Sequence, residues 1–322
     1  MYTTNSLFLD GDVLRGIAMD IKNERTDYIV DQLPALSYDA EIGPAGSQYR
    51  GQIIASAIDA WYPDGKKSTL EVNPGQEFRP IQGPKQEVVA WEAKKYGVQA
   101  VLPREVSKIA ESRAIDAIRY ALGPAVNAVE IGREKQALDE ISGWSVTRAA
   151  SAAWDTAGGD PVGDIMGAIG QVDTYATPDS MILSADAARC LMSSQAFLST
   201  RSLLVDRATL RLDEMAEIIR ERFGLRRVLI SRARAGAVSG GAKTVDYMLS
   251  KTAWIGRLDL EGYQTGSNYS TTAAAAVRIV PQGIEVEAVY DPARQSQILC
   301  VSACQAFAKV YPELGVRLTG IL

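Results

Sequence analysis

Gly51-Gln52-Ile53-Ile54-Ala55-Ser56-Ala57-Ile58-Asp59-Ala60-Trp61-Tyr62-Pro63-Asp64-Gly65-Lys66-Lys67 is the stretch on which the reading of this chain turns. Ile53, Ile54, Ile58 and Trp61 lead into the turn signal Pro63-Asp64-Gly65, and Leu70-Glu71-Val72-Asn73 then alternates as a half-exposed strand does. The two limbs read as a hairpin. They sit within about sixty residues, Gly43 to Leu102, of extended character and little apolar surface. A two-stranded ribbon is at best marginally stable alone, and long excursions are uncommon unless they bind or cover something. The stretch is therefore expected to lie on a partner surface, such as a neighbouring copy of the chain.

The remaining sequence can build a core. With 322 residues, 47% of them hydrophobic, it suits one large or two modest domains. A net charge of −5 argues against coating nucleic acid by counterion release. Asp10, Asp12 and Arg15 interrupt the opening residues, so no signal peptide is read there, and no apolar run has membrane-spanning length. Cys190, Cys300 and Cys304 lack zinc-type spacing and read as reduced thiols. Histidine is absent, which removes Ser–His and Cys–His nucleophile pairs and the commonest transition-metal ligand. No catalytic residue, cofactor or metal site is assigned.

Along the chain, residues 1–42 read as an arm, with Ile17, Ile21, Tyr28, Ile29 and Leu33 at helical spacing before Pro34. Gln86 to Leu102 reads as strand. Pro103 is expected to start a helix reaching Leu122, which Gly123-Pro124 breaks and restarts. Val126, Val129, Arg133, Ala137 and Ile141 then follow the i, i+3, i+4 rule in a helix of about five turns. Its charges, Glu130, Arg133, Glu134, Lys135, Asp139 and Glu140, are expected largely on a solvated face. From Asp160 the grammar alternates. Asp160 caps a helix carrying Ile165, Ile169 and Val172; Met181–Leu183 is a strand; Ser184 caps Ala185–Leu191. Leu212, Met215, Ile218, Ile219 and Phe223 form a stripe ending at Gly224, and Arg227–Ser231 follows as a buried strand. Gly236–Lys243 reads as a loop, Tyr247–Trp254 as a strand, Val277–Val280 with Ile284–Tyr290 as a hairpin, and Ile298–Val301 as a further strand.

Chemistry-bearing motifs are weak. Gly236 to Thr244 resembles a phosphate loop, but Ala242 separates the glycines from Lys243, so the lysine is displaced from the phosphates it must reach. Residues 201–234 hold nine Arg against five acids, a local +4 that leaves −9 for the rest. Only Phe223 offers an aromatic there, so a charged contact with another subunit is favoured over nucleic acid.

The order of parts, together with several short motifs, carries a resemblance. Those motifs are Phe78-Arg79-Pro80 with Gly83; Arg133-Glu134 in the long helix; Trp154 with Asp160-Pro161-Val162-Gly163-Asp164-Ile165; Pro178-Asp179-Ser180-Met181-Ile182-Leu183-Ser184; Phe223-Gly224-Leu225; and Trp254-Ile255-Gly256. In this order they resemble tailed-bacteriophage major capsid proteins of the Hong Kong 97-type fold, shared with encapsulin shells. The resemblance implies an α+β fold: an N-terminal arm (1–42), an extended β-hairpin loop and return strand (43–102), a peripheral domain with a spine helix (103–157), an axial α/β domain (158–276), and closing strands that complete both (277–322).

It further implies self-assembly into an icosahedral virion shell around double-stranded DNA, with copies arranged as hexamers and pentamers. Outside partners would be a scaffolding protein, a portal and a cementing protein, with no membrane, and synthesis would be in the host cytoplasm. Lys66 or Lys67 stands where some members carry a cross-linking lysine, with no catalytic acid or acceptor identified here. Expected inter-subunit contacts are Trp61, Asp64, Lys66, Lys67, Arg79, Arg133, Glu134, Arg220 and Arg222. Two other readings stand beside this one: an encapsulin-type compartment, and a histidine-free α/β enzyme using its ribbon as a dimerisation arm.

Overall fold

A computed structural model describes residues 11–23, 28–33, 35–39, 50–56, 86–92, 94–103, 114–194, 197, 211–239, 242–258, 274–280, 284–293, 296–309 and 311–322. In chain order these form α1 (Gly11–Asn23), β1 (Ala35–Asp39), β2 (Arg50–Ser56), β3 (Gln86–Glu92), β4 (Lys94–Pro103), α2 (Ala114–Trp144), β5 (Val146–Ala149), α3 (Pro161–Asp173), β6 (Ser180–Ser184) and α4 (Ala185–Ser193). Then follow α5 (Leu212–Phe223), β7 (Arg227–Ser231), β8 (Arg234–Ser239), β9 (Ala242–Tyr247), β10 (Ala253–Gly256), β11 (Ala274–Val280), β12 (Ile284–Asp291), β13 (Ser296–Lys309) and β14 (Gly315–Thr319).

The first sheet is organised by the 14-residue β13. One edge pairs antiparallel with β4, from Ser296↔Pro103 to Gln305↔Lys94; β12 and β11 pair with successive parts of β13, and β1 extends β11 in parallel. Val277–Val280 and Ile284–Tyr290 are thus strands as expected, but each pairs with β13 and not with the other. Leu299, Val301 and Ala303 on one face of β13 meet Leu122, Val126 and Val129 of α2, with Leu14, Ala18 and Ile21 of α1 closing the cluster. The helical spacing read over Ile17–Leu33 mixes two structures: α1 ends at Asn23, and Tyr28–Leu33 is a turn closed by the Leu33 N–H on the Ile29 carbonyl.

α2 corrects two expectations. Pro103 is the last residue of β4 and does not start a helix, and Gly123-Pro124 does not interrupt one. Pro124 lacks the N–H that would bond to the Tyr120 carbonyl, which costs a helix interior about 3 kcal/mol. The ring is on the exposed side, and Ile118, Leu122, Ala125 and Val126 are buried on either side of it. Packing overrides the local penalty, and the helix runs for 31 residues.

The second sheet has the order β5-β14-β10-β6-β7, with β6 parallel to β7, β5 parallel to β14, and β10 antiparallel to both of its neighbours. Every residue of β6 and β10 is buried, the signature of a sheet covered on both faces. The expected caps form. Asp160 Oδ1 accepts the Gly163 N–H at 2.9 Å, Ser184 Oγ accepts that of Ala187, and Gly224 ends α5 at φ 65°. The expected loop at Gly236–Lys243 is a ribbon in which β8 pairs with β9, and the single strand expected over Tyr247–Trp254 is instead the end of β9 at Tyr247 and the start of β10 at Ala253. A bend intervenes, with Lys251 at φ 50° and its N–H on Asp186 Oδ2. A further apolar cluster lies where the sheets meet, joining Ile29 and Leu33, Ala137 and Ile141, Ile182 and Leu229, and Trp254.

β2 and β3 form a separate two-stranded antiparallel sheet, from Arg50↔Glu92 to Ser56↔Gln86. Its limbs include Ile53, Ile54 and the return segment read from sequence. Leu70–Asn73 and the turn at Pro63–Gly65 lie outside the described residues.

Candidate functional site

α2 carries charge into the junction between the sheets. Glu130, Arg133 and Glu134 were expected on a solvated face, yet they are 1%, 7% and 0% exposed. The i, i+3, i+4 stripe of the helix already contained Arg133, and Glu130 and Glu134 lie one turn apart on the same side. That periodicity outweighs residue type as a guide to burial. Lys135 and Asp139 do face outward.

Burial is balanced by a complete set of partners. Arg133 Nη1 donates to both Glu130 oxygens at 2.7 and 2.8 Å, Nη2 to Asp31 Oδ1 at 3.3 Å, and Nε to Gln305 Oε1 at 3.1 Å. Lys22 Nζ reaches the same Asp31 oxygen at 3.0 Å. Burial alone would lower the pKa of Arg133, but Glu130 and Asp31 outweigh it and hold the guanidinium charged.

Glu134 acts on the backbone. Its Oε2 accepts the Val30 N–H at 2.9 Å, and Oε1 accepts the Ile29 N–H at 3.2 Å and the Ser231 hydroxyl at 3.4 Å. One carboxylate thus ties the N-terminal turn to α2 and to β7. Burial raises this carboxyl, the three donors pull it down less strongly and the Asp31 charge adds a smaller upward push, for a net pKa of about 7. Arg133 and Glu134 were expected at an inter-subunit contact, but they are enclosed by their own chain and bind parts of one subunit together.

A second lock is made by Asp164 of α3. Its Oδ2 accepts Trp154 Nε1–H at 2.9 Å and its Oδ1 accepts the Ser151 N–H at 3.0 Å. Asp179 before β6 accepts the Leu258 N–H on its side chain, while its carbonyl accepts the N–H groups of Arg226 and Arg227. Sequence reading quoted Asp164 and Asp179 within motifs without a role, since their partners are distant in the chain.

On the outside, a cleft of about 330 Å³ opens among Tyr28, Asn127, Arg189, Arg232, Arg234 and Tyr247. The Tyr247 hydroxyl accepts from Arg234 Nη2 at 2.9 Å and Arg189 Nη1 at 3.3 Å, and the Arg234 guanidinium lies 4.8 Å from the Tyr247 ring centre. Partial burial raises the phenol pKa, but the two arginines outweigh it, and the net direction is down.

Of the other expected contact residues, Arg220 is exposed on α5 and pairs with Glu217, and Arg222 lies 5.8 Å from the Phe197 ring centre. Trp61, Asp64, Lys66, Lys67 and Arg79 lie outside the described residues. The three cysteines are free thiols, and among the described residues no His, Cys, Asp and Glu group is arranged to hold a metal ion. No helix among them is long and apolar enough to cross a membrane.

No protein-family model matches the chain, and no curated protein matches it in sequence. Its architecture is nevertheless shared. A phage-related protein from Bordetella bronchiseptica RB50 superimposes with a TM-score of 0.65 at 14% identity, over 95% of this chain and 97% of that one. A virus-like particle from Pyrococcus furiosus gives 0.55 at 14% identity, over 95% and 98%. The capsid of Cyanophage P-SCSP1u gives 0.51 at 10% identity, over 88% and 86%. With identities this low the likeness is one of fold, and it spans nearly the whole length of each partner. The chain has the α+β, Hong Kong 97-type fold of tailed-bacteriophage major capsid proteins.

Proposed function

We propose that this chain is a shell-forming structural protein, a major capsid protein whose copies assemble as hexamers and pentamers into an icosahedral container for phage double-stranded DNA. The observation that carries the reading is the β2–β3 ribbon, a two-stranded sheet that among the described residues pairs with neither main sheet and touches the first one only where β3 runs beside β13. Such a ribbon is marginal alone. A second copy supplies the missing surface, and the 43–102 stretch becomes a strap between subunits, with Trp61, Asp64, Lys66, Lys67 and Arg79 as its contact residues.

The outer face of the first sheet supports the same reading. Val101 and Val289, 47% and 53% exposed, flank Ile298 in a row across three paired strands. Exposed apolar rows of this kind mark contact surfaces. Arg220 and Arg222 on α5 are a second contact, suited to carboxylates of a neighbouring copy. In this reading the first sheet with α2 is the peripheral part and the second sheet the axial part. A separate scaffolding protein, a portal and a cementing protein are the outside partners in assembly, and the chain does no covalent chemistry.

The test is negative-stain microscopy of the purified full chain. Closed particles tens of nanometres across are expected, and a dimer or tetramer that never assembles overturns the reading. Deletion of Ser56–Lys67 should leave a folded subunit that closes no shells. Particles that contain DNA when made alongside the packaging machinery fit the genome container, whereas particles holding only protein cargo overturn that part.

A further inference from the structure

We propose that the arginine-lined cleft is a receptor for a carboxylate side chain presented by a second copy of this chain. The proposal rests on the shell reading above and names one contact within it. A phenol oxygen accepts two hydrogen bonds and donates one. In Tyr247 both acceptor positions are taken, by Arg189 and Arg234, so its proton is left to donate into the cleft. Each guanidinium carries five N–H donors and has spent one here on Tyr247, and Arg232 adds a third cation beside them.

Among the described residues, acceptor side chains are scarce around this space. Arg232 pairs with Asp213, whose side chain is 80% exposed and lies on α5 outside the lining. The Asn127 carbonyl oxygen accepts the Tyr28 hydroxyl at 2.5 Å. A site whose side chains offer N–H and O–H groups takes an oxyanion. Stacking of Arg234 on Tyr247 holds its guanidinium in one plane, as bidentate carboxylate binding requires.

Size and charge identify the occupant. About 330 Å³ is at the small end of ligand sites and admits one acidic side chain. The arginine-rich 201–234 segment is +4 while the rest of the chain is −9, so the complementary charge is carried in quantity by other copies of the same protein. Complementarity of this kind sets register and suppresses wrong pairings.

The experiment uses the full chain, with assembly followed by light scattering against protein concentration. The double variant Arg189→Gln/Arg234→Gln should keep the wild-type Tm and require at least about tenfold more protein to assemble. Tyr247→Phe, which removes the donor hydroxyl together with the acceptor that positions Arg189 and Arg234, should require about threefold more and serves alone if the double variant does not fold. Penta-aspartate peptide should inhibit wild-type assembly and leave the double variant unaffected. Assembly of the folded variants at the wild-type concentration overturns the proposal, as does inhibition by inorganic phosphate with none by penta-aspartate, which would assign the cleft to a free anion. If the wild type forms no particles, the shell reading fails separately. Titration of penta-aspartate by tryptophan fluorescence then decides the cleft: binding weakened tenfold in the double variant supports a carboxylate site, and equal binding overturns it.

Discussion

Glu134 shows at the level of one residue how position overrides residue type. A charged side chain on the apolar stripe of α2 is kept because it binds two backbone N–H groups and a hydroxyl in the junction. Its folded-state pKa of about 7 lies above the 4.5 of an ordinary glutamate, so between those values the folded protein holds a proton that the unfolded chain has released. Its contribution to stability is therefore greatest below the unfolded value and is lost as pH rises through about 7, by up to about 3 kcal/mol. Thermal melts between pH 5 and 8 should show the wild-type Tm falling with rising pH, and Glu134→Gln should flatten that dependence. Asp164→Ala strands the Trp154 indole N–H and the Ser151 N–H, and urea unfolding should report a loss of about 3 kcal/mol. Gly256 and Gly315 face each other across β10 and β14, where the Trp254 indole lies. A Cβ on Gly256 would stand 2.6 Å from the Leu314 carbonyl oxygen and from that ring. Gly256→Ala should therefore destabilise by about 1–3 kcal/mol in the same assay.

At the scale of elements, local signals worked where partners are close in sequence. The Asp160 and Ser184 caps, the Gly224 helix end and the apolar stripes of α3 and α5 were all legible, because each is satisfied within one or two helical turns. Pro124 was misread because its neighbours compensate from outside the helix, through the first sheet. Pro124→Ala should restore the missing bond and raise stability by about 1–3 kcal/mol, read as a higher Tm. A Tm that falls would show that the proline also shapes α2 against β13. The β8–β9 ribbon was taken for a loop because Gly236, Gly240 and Gly241 are poor strand formers, and cross-strand pairing is a non-local term that propensity does not contain. The partners of β11 and β12 were misassigned for the same reason. A short Pro-Gln-Gly link suggests a hairpin, while β13, long enough to serve both strands, is later in the chain.

On the scale of the whole molecule, two sheets with one helix-covered core each are joined through α2 and the N-terminal turn, and the β2–β3 ribbon, paired with neither among the described residues, lies alongside β13 through β3. If the ribbon and the open face of the first sheet are contact surfaces, stability should depend on assembly. Particles should melt well above the unassembled chain in differential scanning calorimetry, since a state that binds only folded copies gains stability by mass action. Equal melting would count against those surfaces as contacts. The motifs that carried the resemblance fall on anchoring points: Asp164 on Trp154, Asp179 beneath Leu258, Gly224 at a left-handed helix end, and Gly256 under Trp254. The sequence by itself determined the caps and apolar stripes of α3, α4 and α5, several of the strands and the capsid-type fold, because periodicity and turn chemistry are local properties. Only the tertiary structure decided that Glu130, Arg133 and Glu134 are interior, that β13 rather than a hairpin organises the closing strands, and that Arg189, Arg234 and Tyr247 converge on one cleft. Those outcomes depend on contacts between residues tens to more than a hundred positions apart, whose free energy is set by which surfaces meet.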